Sequence, residues 1–221
     1  LLAYGSFEAK GGAAGGSGGF IETSGGAFDI GAIRVEASGA TAGKWLIDPY
    51  NVEINSFGGS ASLPGNPYVP LADSVIRDTA ISDALNAGTD VRITTGTGGA
   101  ADQGDIFMNN AQITYTGAGE RTFTLEAHRS VRSNTGTTIA SYGAGAGPLN
   151  VVFTADVNGS SSNGTDGGQV SYSGRIYSNG GDVTMTGAWA NNSNLGSSVA
   201  LSQGVVVDTR GGNQIVSPGV Y

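Results

Sequence analysis

The sequence predicts an all-β chain wound as a parallel β-helix, with a short helical excursion near residues 71–86. Three observations carry this. Short segments of alternating apolar and polar residues recur along all 221 residues, and 39 glycines without a Gly-X-Y period punctuate them. From residue 91 onward the segments group in threes, with group starts at 91, 122, 149 and 182, hence separations of 31, 27 and 33 residues. Alternation marks strands that bury one face. A repeat in this range marks a solenoid. An antiparallel sandwich would also carry short alternating strands, and the repeat favours the coil over it.

The elements follow in chain order. Gly19–Thr23, Ala27–Ile30, Ile33–Ala37, Trp45–Asp48 and Asn51–Ile54 read as strands, with Ile33 and Val35 set against Arg34 and Glu36. A loop with Pro64, Pro67 and Pro70 comes next. Over Leu71–Asn86 the period changes: Val75, Ile76, Ala80, Ile81, Ala84 and Leu85 recur at helical spacing, Asp73 or Ser74 can cap the start, and Gly88 supplies the stop. The strand triplets are then Val91–Thr95, Asp105–Met108 and Gln112–Tyr115; Thr122–Ala127, Ser130–Arg132 and Thr137–Ala140; Leu149–Ala155, Gln169–Tyr172 and Arg175–Ser178; and Asp182–Thr186, Val199–Leu201 and Val205–Thr209.

Three short strands per repeat suit a coil around a three-sided core. Val91, Ile93, Ile106, Ile113, Leu125, Val151, Val170, Ile176 and Val183 are the residues expected to point inward. One buried Val, Ile or Phe contributes about 1.5–3 kcal/mol, whereas ordering backbone costs ~1–2 kcal/mol per residue. A single rung is therefore not self-sufficient, and neighbouring rungs must cover one another. We divide the chain into first rungs (1–57), a Pro-rich loop with the helical excursion (58–90), and further rungs (91–221).

Composition excludes several function classes. A net charge of -8 opposes nucleic-acid binding, which draws its affinity from phosphate neutralisation. No cysteine is present, so disulfides, thiolate nucleophiles and Cys-ligated metals are absent. No apolar run is long enough to insert in a membrane. Leu1–Gly5 lacks the basic and apolar regions of a signal peptide, and no initiating Met is present, so the chain reads as a piece of something longer.

The first fifty residues carry a resemblance. Gly18-Gly19-Phe20-Ile21-Glu22-Thr23-Ser24-Gly25, followed by Lys44-Trp45-Leu46-Ile47-Asp48-Pro49-Tyr50-Asn51-Val52-Glu53-Ile54, resembles a pairing in large bacterial exoproteins exported by two-partner secretion. These are the filamentous-haemagglutinin and high-molecular-weight-adhesin type. Ile81–Val91, Gly104-Asp105-Ile106, Leu125-Glu126-Ala127 and Gly147–Val151 are similar too, and the likeness fades after Trp189. The resemblance implies a right-handed parallel β-helix within a long fibre. It also implies secretion to the bacterial cell surface or beyond it, through an outer-membrane two-partner transporter. The amino-terminal secretion domain of that family is not visible in these residues.

Candidate chemistry is sparse. Glycoside hydrolysis needs two carboxylates across one bond, and Asp102 with Asp105 or Asp156 with Asp166 are the available pairs; beside glycine, such residues more commonly bend turns. Glu126, His128 and Ser130 alternate and are expected on one outer strand face, without the oxyanion-hole motif a triad needs. Asp156–Ser160 starts like a calcium loop but lacks the glycine and glutamate that complete one. No catalytic residue, cofactor or metal site is expected. Trp45 is expected as a core filler, while Tyr115, Tyr172 and Tyr177 are expected to show polar tips at the surface. Trp189, Asn191 and Asn192 are the candidate surface contact, an indole among amides being able to stack on a sugar.

The expected function is a non-catalytic shaft of an adhesin that binds a host or bacterial surface glycan or protein. A toxin-delivery or ligand-scavenging exoprotein would use the same shaft, and a β-helical polysaccharide lyase or hydrolase is the remote alternative. Open strand edges at a terminal rung further predict end-to-end self-association.

Overall fold

The computed structural model describes residues 1, 3–28, 30, 33–57, 74–96, 104–157, 168–187 and 199–218. The chain enters through β1 (Gly5–Glu8), β2 (Phe20–Ser24) and β3 (Ile33–Glu36). β4 (Gly43–Asp48) and β5 (Val52–Asn55) follow, then β6 (Ser74–Arg77) and a helix, α1 (Asp78–Asn86). Next come β7 (Thr89–Thr94), β8 (Ile106–Asn109) and β9 (Gln112–Tyr115), then β10 (Arg121–Ala127), β11 (Val131–Ser133) and β12 (Thr138–Ser141). β13 (Leu149–Ala155), β14 (Val170–Tyr172) and β15 (Arg175–Tyr177) make another rung, as do β16 (Val183–Gly187), β17 (Val199–Leu201) and β18 (Val206–Asp208), before β19 (Gln214–Pro218).

Every strand pairing among the described residues is parallel. Face one is seven-stranded, in the order β2-β4-β7-β10-β13-β16-β19. Face two runs β6-β5-β8-β11-β14-β17, and face three runs β9-β12-β15-β18, with β1 paired to β3 before it. Each of β10, β13 and β16 thus follows a strand of face three and returns to face one beside the equivalent strand of the preceding rung. This is the three-sided parallel β-helix that the triplets predict.

Register sets the core. On face one Trp45, Val91, Phe123, Val151 and Val183 stack in one inward column, and Ile47, Ile93, Leu125, Phe153 and Met185 in the next. Ile113, Ile139, Ile176 and Val207 stack on face three. All nine residues expected inward are buried. Trp45 is a core residue, its indole Nε1 donating to Thr23 Oγ1 at 3.1 Å.

The excursion differs from the expectation. Residues 71–73 lie outside the described residues, Ser74–Arg77 form a strand paired with β5, and the helix covers only Asp78–Asn86. Ser74 does not cap it: Arg77 stands at the N-cap without a side-chain cap bond, and Ser74 Oγ instead accepts the Phe28 amide at 3.0 Å; Asp73 lies outside the described residues. The expected stop at Gly88 holds. Its φ of +91° suits glycine, and its N–H donates to Leu85 O at 3.0 Å. Ile81 and Leu85 are buried.

α1 packs on both β3 and β9, in the place of a strand of face three. A helix is roughly 10 Å across, close to the gap of about 9–10 Å left when one strand is omitted from a parallel ladder. The open edge of β9 meets one helical stripe. Gln112 N donates to Asp78 Oδ2 at 2.6 Å, Thr114 N to Ser82 Oγ at 3.0 Å, and Thr116 N to Asn86 Oδ1 at 2.8 Å. Asn86 Nδ2 returns a bond to Thr114 O at 3.1 Å.

Some elements depart from the sequence expectation. Phe28 and Ile30 are buried, but the segment around them is not a regular strand. β1 and β19 are strands the alternation alone does not single out. Tyr115 and Tyr172 do not show their tips outward; both are buried, their hydroxyls donating to Gly119 O and to Arg175 O (3.0 Å) at corners of the coil. Tyr177 is half-buried on the outer side of β15.

Candidate functional site

From β7 onward chain connectivity concentrates the long excursions on one edge; before it, 9–19 joins β1 to β2 and 56–73 joins β5 to β6 within face two. From face one to face two the connections are 95–105, 156–169 and 188–198, with 49–51 and 128–130 short. From face two to face three they shrink to 110–111, 134–137, 173–174 and 202–205. From face three back to face one they are 116–120, 142–148, 178–182 and 209–213. The sequence-predicted residues Asp102, Asp105, His128, Ser130, Asp156, Asp166, Trp189, Asn191 and Asn192 all belong to the face-one/face-two connections. Asp102, Asp166, Trp189, Asn191 and Asn192 lie outside the described residues, as does the Asn158–Gly168 stretch, expected as an exposed loop between two strands, except for Gly168, which is buried.

The described base of this edge is a hydrogen-bonded stack. Asn51 Oδ1 accepts from Gly104 N and Asp105 N, both at 2.9 Å. Thr95 Oγ1 donates to Gly104 O at 2.8 Å and accepts from His128 N at 3.1 Å. One rung further, Asp105 Oδ1 accepts Arg129 Nε at 2.7 Å and Ser130 N at 3.2 Å, while Arg129 Nη2 reaches Asp105 Oδ2. Ser130 Oγ then accepts Gln169 N at 3.4 Å, and Asp156 N donates to Arg129 O at 3.0 Å. Each rung thus carries acceptors for the amides of the next.

This geometry assigns the candidates. Asp105 is held in a two-point ion pair by Arg129, the strong form of such contacts. Asp156 is buried in left-handed backbone at φ 55°. The expected outer row of Glu126, His128 and Ser130 does not form. β10 ends at Ala127 and the chain turns the corner, so the two-residue period lapses; Ser130 is buried, and Glu126 pairs with Arg92 across the rung, Nε to Oε2 at 2.9 Å. Gly104 answers to His128: at φ +81° a Cβ there would lie 2.5 Å from the His128 Cβ.

A second set of contacts, missed from the sequence, opens three strands of face one, β7, β13 and β16. Asp90 Oδ1 accepts Thr122 N at 2.9 Å, Asn150 Oδ1 accepts Asp182 N at 2.8 Å, and Asp182 Oδ1 accepts Asn213 N at 2.7 Å. Its signal is an Asp or Asn just before the first inward position. Burial pushes the Asp90 carboxyl above the usual range, with the Thr122 amide and then Arg121 and Lys44 opposing it. Asp182 shifts the other way, because the Asn213 backbone and side-chain N–H groups both bind its charged form.

Among the described residues no group of three or more His, Cys, Asp or Glu side chains is placed to hold a metal ion. No helix of the described residues is long and apolar enough to cross a membrane. No protein-family model matches the chain, and no curated protein matches it.

Proposed function

We propose that the chain is a non-catalytic shaft segment of a secreted or surface-exposed bacterial adhesin, and that its face-one/face-two edge makes the attachment. One observation carries this reading: from β7 onward the long connections leave a regular scaffold on the same edge, while the other two corners of those rungs are joined by seven residues or fewer. A rigid coil presenting loops along one line is the arrangement by which scaffolds bind. The loop residues are those of a polar contact surface: Asn158, Ser160, Asn163 and Thr165 in one connection, Trp189, Asn191 and Asn192 in another. Amides, hydroxyls and one indole suit a surface glycan or a polar protein face. Asp105, the described member of one candidate carboxylate pair, is engaged by Arg129, which supports the non-catalytic side of the reading. The motif resemblance supports the adhesin type and the two-partner transporter as export partner.

The test replaces 97–103, 158–167 and 188–198, singly and together, with short Gly-Asn turns, and adds Trp189→Ala. Attachment to host cells or to sister bacteria should fall while the thermal midpoint stays near that of the parent chain. Undiminished attachment by the triple replacement would overturn the assignment of the edge. Turnover of an acidic glycan that Asp105→Ala abolishes would overturn the non-catalytic reading.

A further inference from the structure

Tyr50 turns the corner between β4 and β5, in one of the short connections of the face-one/face-two edge. Backbone bonds set it in a row that climbs this edge: Tyr50 N donates to Gly26 O at 3.0 Å, and Gly96 N donates to Pro49 O at 3.0 Å. The residues that flank the ring along the row are thus two glycines, one rung before it and one rung after. A Cβ on Gly26 would lie 2.7 Å from Tyr50 Cε2, so the ring occupies room that only glycine leaves. A Cβ on Gly96 would lie 3.8 Å from Tyr50 Cδ1, in ordinary contact; Gly96 leaves uncovered what a larger residue would cover.

The ring is 41% exposed, whereas Trp45, Tyr115, Phe123, Phe153 and Tyr172 are all buried in the coil. The Tyr115 and Tyr172 hydroxyls donate to backbone carbonyls. The Tyr50 hydroxyl makes no hydrogen bond among the described residues. Two residues earlier, Asp48 ends β4 half-buried on its outer side, and its carboxylate has no hydrogen bond or ion pair among the described residues. An aromatic ring, a hydroxyl and a carboxylate therefore share one corner, on backbone that the ladder holds in place.

We propose that Tyr50 is a stacking platform for a pyranose ring of a neutral glycan, with Asp48 accepting hydrogen bonds from the sugar hydroxyls. The chemistry selects this class. A hexopyranose presents C–H groups on one face, which suit an aromatic plane, and a rim of hydroxyls. An ionised carboxylate only accepts, so it takes those hydroxyl protons. The same carboxylate, in a chain of net charge -8, repels sialylated, uronic or sulfated chains. The proposal rests on the reading of the face-one/face-two edge as the attachment edge, and adds to its loops a subsite on the coil itself.

Saturation-transfer NMR of the 221-residue chain with lactose, maltotriose and cellotriose tests it, with sialyllactose as the charged comparison. At least one neutral sugar should bind, more tightly than sialyllactose, and take up saturation at the C–H protons of one ring face. Tyr50→Ala should weaken that binding about tenfold, and Tyr50→Phe should keep most of it. Gly96→Ala should weaken it by covering the ring, without lowering the thermal midpoint. Tyr142→Ala, which removes an exposed tyrosine from a face-three/face-one corner, should leave it unchanged. No binding of any of the three neutral sugars at millimolar concentration, tighter binding of sialyllactose, or binding indifferent to Tyr50→Ala would each overturn the proposal. Cell attachment separates the two inferences. Attachment lost with the loops, in a chain that binds no neutral sugar, sinks this proposal alone. Sugar bound at Tyr50, with attachment indifferent to the loops and to Tyr50→Ala, sinks the attachment role alone.

Discussion

Ser82 Oγ donates to Asp78 O at 2.9 Å and accepts Thr114 N at 3.0 Å, so one hydroxyl ties a helical turn to the open edge of a strand. A mid-helix serine that bonds back to the carbonyl four residues earlier usually weakens its helix slightly. Here the back-bond points the oxygen lone pairs outward, and Thr114 N uses one of them. With Asp78 and Asn86 on the same stripe, side chains of α1 stand in for the carbonyls of an absent strand.

Ser82→Ala removes that acceptor and leaves a part-buried N–H without a partner. We expect a loss of about 1–3 kcal/mol in chemical denaturation, with faster hydrogen exchange at Thr114. Thr79→Ala, on the exposed side of α1, should change stability by less than about 0.5 kcal/mol. Equal effects from the two would refute the role given to the stripe.

Ile106 stacks between Val52 and Val131 on face two and is fully buried. Ile106→Ala should cost about 2–5 kcal/mol. Ile106→Asp should cost more, because a charge would be buried without a partner. Thermal unfolding of both variants checks the order.

Asp90 titrates above its unfolded value of 3.8 because burial disfavours its charge. Between the unfolded and folded values the native chain holds the extra proton, so this group's contribution to stability falls as pH rises through that window. Asp90→Asn keeps an oxygen for Thr122 N and removes the buried charge. The variant should unfold at higher temperature than the parent at pH 7, and the gap should close as pH falls below the carboxyl range. A variant less stable at neutral pH would contradict the assignment.

Gly181 sits where one rung presses on the next: a Cβ there would lie 2.2 Å from Leu149 O. Gly181→Ala must push two backbones apart and should cost about 1–3 kcal/mol. Gly12, with nothing within 4 Å of its would-be Cβ, serves as the control. Denaturant midpoints of the pair give the comparison.

The inward columns were legible because alternation and repeat length agree, and Val91, Ile106, Ile113 and Val183 needed nothing else. β6 was hidden because Val75 and Ile76 satisfy a helical period as well as a strand's, and the true helix follows without a break. Ser130 was misplaced because a corner interrupts the two-residue period after Ala127. The stripe of Asp78, Ser82 and Asn86 could not be read as a connector, since its partner is an edge that exists only once β9 has lost its neighbour. The gathering of long connections on one edge also needed the strand order, though their Gly, Ser and Asn content marked them as loops.

Helix and strand meet at α1 like two scales of a vernier. Four helical residues advance about 6.0 Å, while two strand residues advance about 6.6 Å. The three contacts at Asp78, Ser82 and Asn86 therefore accumulate an offset of only about 1.2 Å between first and last, whereas a fourth and fifth would carry roughly 1.8 and 2.4 Å, beyond hydrogen-bond tolerance. The graduations coincide for about the length of one short strand and then drift apart. A nine-residue helix can thus replace one four-residue strand, but a longer face could not be closed in this way, and added helical turns would run off the scale.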